Sequence, residues 1–463
     1  MLLVIVRIKR NIGSNLTPAA ELTMAEEIMS SQRSEKTNGH EESLNGTVER
    51  IPELPKYLYT SLERLALKEG YTASKFSISF DFGSTKGDGF VGQIFKAIIK
   101  ECDRKNVYLC KIPPLHDARR EQFNAMIAFD RETLAYDRFL PTIYEYQREK
   151  GVLSASDGFF HTPNCYYAHC DQITQESVII MEDLRLREFR LWNKHNIIDY
   201  DHANLFMTHI GRLHAVSLAM KRDQPERFEQ FKIPNPFDVM LTADGPFANM
   251  IISQLQMVID ALDMKDTIER VKMEKLKDTV FHEFDRCGKA QLAEPYTVVG
   301  HGDCWTNNMM FRYEEGKPQE IVLFDWQMMR YVTPAQDLVY FIFCCTDEEF
   351  RLQYYDEMID IYHRSLSTTL SKLQHNVNKL FPRSALDEQL RLFGRYGILM
   401  AMFLVPMMCT RNEDLPDIEA MAQKMLEAKQ LNESFFKTNE SNQDAYAKRI
   451  RGVVKDCIRY GYF

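Results

Sequence analysis

His301-Gly302-Asp303-Cys304-Trp305-Thr306-Asn307-Asn308, with Asp325 downstream, is the stretch whose reading decides the fold. Before it, Thr297-Val298-Val299 is β-branched and reads as a strand. After it, Met309-Met310-Phe311-Arg312-Tyr313 and Ile321-Val322-Leu323-Phe324 flank Glu314-Glu315-Gly316-Lys317-Pro318, a hairpin by composition. Asp325 then ends the second strand of that hairpin. A loop and a hairpin end thus bring two carboxylates and one amide to one place. A carboxylate beside a hydroxyl can take its proton. A carboxylate with an amide offers the hard oxygen ligands that suit Mg²⁺, which keeps the rest of its shell for phosphate and water. An isolated Asp is ordinarily a turn residue or a helix cap; the combination is what points to chemistry.

Working outward, the region from about 50 to 185 reads as strands with one main helix. Phe76 to Phe82 alternates apolar and polar residues, and Val91 to Lys100 and Val107 to Lys111 continue as strands around a turn at 103–106. A helix is expected from Arg119 to Leu140, with Met126, Phe129, Thr133, Tyr136 and Leu140 on one face and Pro141 as its stop. Two more strands are expected at Asn164 to His169 and Ser177 to Met181. Lys111 therefore ends a strand, and Glu132 on the next helix is placed to hold it; a solvated lysine and a surface glutamate are the ordinary alternative. Gly83, Gly87, Gly89 and Gly92 fall between the first two strands, where a glycine-rich turn could cover phosphates with backbone N–H groups. They match neither regular phosphate-loop pattern, and a plain flexible turn reads nearly as well. Ile179 to Leu184 reads as a connector, with Met181 and Glu182 beside any ligand held there, or as a strand end with a helix cap.

Beyond Glu182 the texture is helical. Asp201 is expected to cap a helix that buries Phe206, Ile210, Leu213 and Met220, and Leu352, Tyr355, Met358, Tyr362 and Leu366 mark another. His214 and Asp337 read as hydrogen-bonding braces near the loop. His161, Cys165, His169 and Cys170 lie close together, but their spacing fits no closed zinc pattern.

These motifs resemble the catalytic core of aminoglycoside phosphotransferases and choline kinases. In the fuller form, with Cys304-Trp305-Thr306-Asn307 and Phe324-Asp325-Trp326-Gln327, the sequence is similar to the ecdysteroid kinase-like (CHK kinase-like) family over roughly 55 to 463. The resemblance implies an α+β, two-lobed protein-kinase-like fold: a β-rich N-lobe with one main helix at 51–184, and a mostly helical C-lobe carrying the catalytic β-hairpin at 185–463. It implies Asp303 as the catalytic base or hydroxyl-orienting carboxylate, Asn308 and Asp325 as metal ligands for Mg²⁺, and Lys111, Glu132, Gly87, Gly89, Met181 and Glu182 around ATP. The implied activity is transfer of the γ-phosphoryl group to a small-molecule alcohol, such as an ecdysteroid or other apolar hydroxyl compound. Gly302 stands where phosphorylation-regulated protein kinases carry arginine, and Trp326-Gln327 where they carry Phe-Gly, which turns the reading away from a peptide substrate. Two alternatives stay open: a catalytically inactive ligand-binding member of the fold, and an atypical protein kinase. Trp305 and the apolar stretch with Met400, Met402, Phe403 and Met407 are candidates for the acceptor site, with core packing as the more ordinary role.

Composition bounds the remaining classes. A net charge of −9 and a pI near 5.8 give no electrostatic drive toward nucleic acid. Ten cysteines in 463 residues are too dilute for a disulfide scaffold and fit a reducing compartment. The N-terminal apolar run is broken by Arg7, and no stretch reaches the about twenty apolar residues of a membrane span. The sequence therefore predicts a cytoplasmic protein without a transmembrane segment. It predicts a disordered leader over 1–50, with Met1 or Met24 as its start, and leaves the oligomeric state undetermined.

Overall fold

The computed structural model describes residues 51–83, 91–122, 124–235, 241–245, 247–411 and 442–463, with isolated positions between 412 and 441. The leader expected over 1–50 lies outside the described residues, as do Gly87 and Gly89. Glu53–Phe463 forms one compact unit.

Its first part is a five-stranded antiparallel sheet in the order β1-β2-β3-β5-β4. The strands are β1 Ser77–Phe82, β2 Gln93–Glu101, β3 Arg104–Ile112, β4 Cys165–Asp171 and β5 Glu176–Glu182. The β2–β3 turn is tighter and earlier than the sequence predicts. Glu101 pairs with Arg104, so Cys102 and Asp103 alone make the connection, with Cys102 in the left-handed region at φ 50°. On β3, Tyr108, Cys110 and Ile112 bury one face, while Lys111 points the other way between Ile94 and Ile179.

The expected single helix is in fact a chain of pieces. Asp117–Gln122 precedes α1 Ala125–Leu134, a π-turn at Ala135–Phe139, and α2 Leu140–Glu149. Pro141 does not stop it. Leu140 N–H reaches back to Ala135 O, and the proline, which has no N–H to give, follows where the backbone has already widened. Four of the five residues of the predicted face, Met126, Phe129, Tyr136 and Leu140, enter the core, while Thr133 is only partly buried.

The second part is helical. α3 Tyr200–Asp223 buries Phe206, Ile210, Leu213 and Met220 completely. Its cap is Asp199, whose carboxylate accepts from His202 N–H, and Asp201 sits instead in the first turn. α3 packs against α5 Glu348–Lys372, and α4 Ala335–Cys345 packs chiefly on the helix Tyr396–Cys409 while Phe341 stacks on Phe206 of α3. Tyr355, Met358, Tyr362 and Leu366 form the buried stripe of α5, but Leu352 is 59% exposed and belongs to the solvent face. α6 Tyr396–Cys409 is buried almost all round, including Met400, Met402 and Met407. No single helix among the described residues is long and apolar enough to cross a membrane; Arg383–Phe393 and α6 pass that test only as a pair bent by 60°.

Within the helical part lie the small strands that carry the motif. β7 Val298–Gly300 pairs with β10 Arg330–Val332, and β8 Met309–Glu314 pairs with β9 Lys317–Leu323, with β6 Arg190–Leu191 on the β8 edge. Glu315 and Gly316, both at positive φ, close the β8–β9 hairpin in two residues. The architecture is α+β in two lobes, the protein-kinase-like arrangement expected from the sequence.

Candidate active site

The loop His301–Asn308 runs from the end of β7 to the start of β8, and buried polar groups hold it from behind. Asp337, in the first turn of α4, accepts from His301 N–H at 2.8 Å and from Gly302 N–H at 2.9 Å. His214 on α3 donates from Nε2 to the same carboxylate at 3.1 Å, while its Nδ1 pairs with Tyr362 OH at 2.9 Å. Burial alone would raise the Asp337 carboxyl, but His214 and Arg330 bring it down to about 2. Both residues take the bracing roles the sequence assigned to them.

Gly302 is dictated by space. It sits at φ +84°, and a Cβ there would lie 2.1 Å from Met328 O. The guanidinium of Arg330 fills the rest, donating to Gly302 O at 3.0 Å, to Gln336 and to Tyr396 OH. A positive side chain does therefore reach this loop, but from β10.

His301 stays neutral, its pKa lowered by burial. Its Nε2 donates to Phe324 O at 3.0 Å, which leaves Nδ1 to accept from Asp303 N–H at 3.3 Å. One imidazole thus ties the loop to the end of β9, and Phe324 N–H donating to Asn308 O at 3.1 Å adds a second tie.

These ties bring Asp303, Asn308 and Asp325 together. Asp303 is half-buried. Burial pushes its carboxyl up, and the charge of Asp325 pushes it further. Tyr340 OH donates to one of its oxygens at 2.6 Å and Asn308 Nδ2 to the other at 2.8 Å. Asn308 Nδ2 also reaches Asp303 O at 3.1 Å. Two acceptors on the nitrogen fix the amide's orientation and leave its Oδ1 as the end that faces away from Asp303.

Asp325 stands at φ 64°, ψ 67°, a left-handed conformation that a non-glycine residue holds at a cost of about 1–3 kcal/mol. Its carboxylate meets Lys111 Nζ at 2.8 Å, and the same Nζ meets Glu132 at 2.6 Å. Burial disfavours the charge on Lys111, but Asp325 and Glu132 outweigh it and hold the ammonium protonated. Burial pushes Glu132 up while Lys111 pulls it back, so the proton of this pair rests on the lysine. A Cβ on Gly92 would come within 3.3 Å of Lys111 Cε, so the backbone just before β2 lies close to the end of the lysine stem.

Met181 is buried at the end of β5. Glu182 is tied down: its N–H donates to Asn164 O, and its carboxylate accepts from Asn164 N–H at 2.9 Å and from Arg187 at 3.1 Å. The alternative of a strand end with a cap also materialises, since Asp183 accepts from Arg185 N–H at the head of a short 3₁₀ turn. His161 contacts the His209 ring at 4.0 Å, away from any zinc arrangement. Among the described residues, no group of three or more His, Cys, Asp or Glu could hold a metal ion. Oxygens from Asn308 and Asp325 are too few for an all-protein cage; a cation there would need phosphates and water to complete its shell, as Mg²⁺ does. Trp305, Met400, Met402 and Met407 lie in the main core, with Phe403 packed against it.

Tyr340 and Arg330 escaped the sequence reading. Tyr340 lies in the apolar run Leu338–Cys345, which reads as packing, and Arg330 in a three-residue strand. A hydroxyl inside the otherwise apolar run Leu338–Cys345 is the one signal that marks Tyr340.

Fold and site together define a kinase-like phosphotransferase scaffold. The chain belongs to the ecdysteroid kinase-like family, whose model matches residues 86–375, a narrower span than the motifs implied. Comparison with curated sequences gives no match. Among solved structures, it is similar to an ethanolamine kinase of Plasmodium vivax, at 12% identity, 98% coverage of each chain and a TM-score of 0.39. It is also similar to APH(2'')-IIIa in its complex with GDP and kanamycin (10% identity, 87% of this chain and 99% of the other, TM-score 0.38). A third is spectinomycin phosphotransferase APH(9)-Ia with ADP and spectinomycin (13%, 85% and 98%, TM-score 0.32).

Proposed function

We propose that the protein transfers the γ-phosphoryl group of ATP to the hydroxyl of a small molecule. The observation that carries this reading is the position of Lys111 Nζ, held between Glu132 and Asp325 across 214 residues of sequence. That contact joins the sheet, its helix and the hairpin end at a point next to Asp303. Phosphoryl transfer asks for this kind of positioning and charge neutralisation more than for covalent catalysis.

In this reading Lys111 meets the α/β-phosphates, and the backbone around Met181 and Glu182 lies beside the adenine. Gly87 and Gly89 are proposed to cover the phosphates. Asn308 Oδ1 and Asp325 would hold Mg²⁺, which supplies neutralisation of the phosphate charge. Asp303 accepts the proton of the acceptor hydroxyl as its oxygen bonds to the γ-phosphorus, and the bond to ADP breaks. The Asp303 carboxylate is held by two donors yet keeps free lone pairs, which suits that role.

The acceptor class to try first is an ecdysteroid or other apolar alcohol, on the family's name. The free state of all ten cysteines supports a cytoplasmic setting. The test is ATP consumption against a panel of alcohols, wild type beside Asp303→Asn. Turnover that is lost in Asp303→Asn, with nucleotide binding retained, supports the assignment. Consumption with peptide acceptors alone would favour the atypical protein kinase. No consumption with any acceptor by either protein would favour the inactive ligand binder.

A further inference from the structure

α4 grips the loop 301–308 twice, through residues one helical turn apart. Asp337 takes the backbone N–H groups of His301 and Gly302, and Tyr340, three residues on, reaches the side chain of Asp303. Tyr340 is 2% exposed and is flanked by Val339, Phe341, Ile342 and Phe343, all buried. Phenylalanine would fill this space equally well. A hydroxyl carried into such surroundings requires a partner, and the partner here is one oxygen of Asp303 at 2.6 Å. Burial keeps the phenol protonated, so it donates.

The other Asp303 oxygen is taken by Asn308 Nδ2 at 2.8 Å. One donor on each oxygen fixes the rotation of the carboxylate about its own axis, and removing either leaves a single pivot. Asn308 comes from the loop that Asp303 itself belongs to, so it moves with that loop. Tyr340 comes from a helix set in the core and is the external reference.

We propose that Tyr340 is a positioning residue for Asp303: its hydroxyl sets the angle at which the carboxylate meets the acceptor hydroxyl. The proposal rests on the reading of Asp303 as the group that takes the acceptor's proton. A misplacement of about 1 Å at a reacting group can lower a rate by about 100-fold.

The test compares wild type, Tyr340→Phe, Asp303→Asn and the double variant in full-length protein. Measurements are steady-state phosphoryl transfer, nucleotide binding, thermal unfolding and crystal structures of wild type and Tyr340→Phe. Tyr340→Phe should lower kcat by about 10- to 100-fold with the KM for ATP, nucleotide affinity and Tm unchanged. In the Asp303→Asn background the same change should have little further effect, because the residues act as one unit. The crystal structures should show the Asp303 carboxylate rotated in Tyr340→Phe. An unchanged kcat, or a loss matched by a fall in Tm with Asp303 in place, overturns the proposal. If wild type turns over no acceptor, the functional reading fails separately, and the structures alone decide: the same Asp303 rotamer in both proteins overturns the positioning role, and a rotated one supports it.

Discussion

Replacing Asp337 by alanine should cost more stability than removal of an ordinary hydrogen bond, because the carboxylate serves three buried donors. Those donors are His301 N–H at 2.8 Å, Gly302 N–H at 2.9 Å and His214 Nε2 at 3.1 Å. Asp337 is 1% exposed, so water cannot easily replace it. Each orphaned buried donor costs about 1–3 kcal/mol, which sums to about 3–6 kcal/mol for Asp337→Ala once partial relaxation is allowed. Asp337→Asn should fall between wild type and alanine. One side-chain oxygen remains to accept, but the amide nitrogen must then face a donor. Urea unfolding of the three proteins at neutral pH measures the series directly, with an unchanged slope showing that the same surface unfolds. Acid titration adds a second readout. The folded pKa of Asp337 is about 2, below that of an unfolded carboxyl near 4, so its contribution is complete above about pH 4. That contribution, about 2–3 kcal/mol, should be lost as the pH falls toward 2 in wild type and be missing in Asp337→Ala. An alanine variant within about 1 kcal/mol of wild type would refute the reasoning, since it would mean the loop does not depend on this carboxylate.

Two further outcomes follow from the same structure. Lys111→Met should abolish phosphoryl transfer and destabilise the fold by about 3–5 kcal/mol, because it leaves Glu132 buried without its cation. Adding Glu132→Leu should restore most of the stability but none of the activity, and a double variant no more stable than the single would contradict this. Burial lowers the His161 pKa to about 3, with the charge of Arg212 adding to the effect, and lowers His209 well below its ordinary value. Unfolding therefore takes up protons below about pH 6.5, so stability is full above that value and declines as pH falls, by about 2 kcal/mol at pH 5 for His161 alone. Urea unfolding at pH 7.5 and pH 5 checks this, and His161→Phe should flatten the profile.

By itself the sequence determined the parts and their order. Local spacing was sufficient to place Asp303 and Asn308 on one loop, Asp325 at a hairpin end, Lys111 on a strand and Glu132 on the helix after it. That legibility has a physical basis: strand alternation, hairpin turns and helical stripes are set by neighbours a few residues apart. The same locality explains the misreadings. Pro141 reads as a stop because local rules assume an α-helical backbone, whereas a π-turn at Ala135–Phe139 lets the helix continue. Asp199 and Asp201 are equally good caps by composition, and in the structure it is Asp199 that accepts from His202 N–H. Leu352 fits a buried stripe whose edge only the neighbouring helices define.

What the tertiary structure alone decided is how the parts are held. The sequence offers Asp337 and His214 as braces for His301–Asn308, but gives no hint that Tyr362 backs His214 or that Arg330 and Tyr340 also converge on the loop. Contacts of this kind join residues up to 148 positions apart. They arise from which helix faces meet in the core, a property of global packing that no local window contains. The left-handed turn at Asp325 belongs here too. It is a conformation its residue type disfavours, and it is kept because Lys111 and the surrounding ties over-determine it.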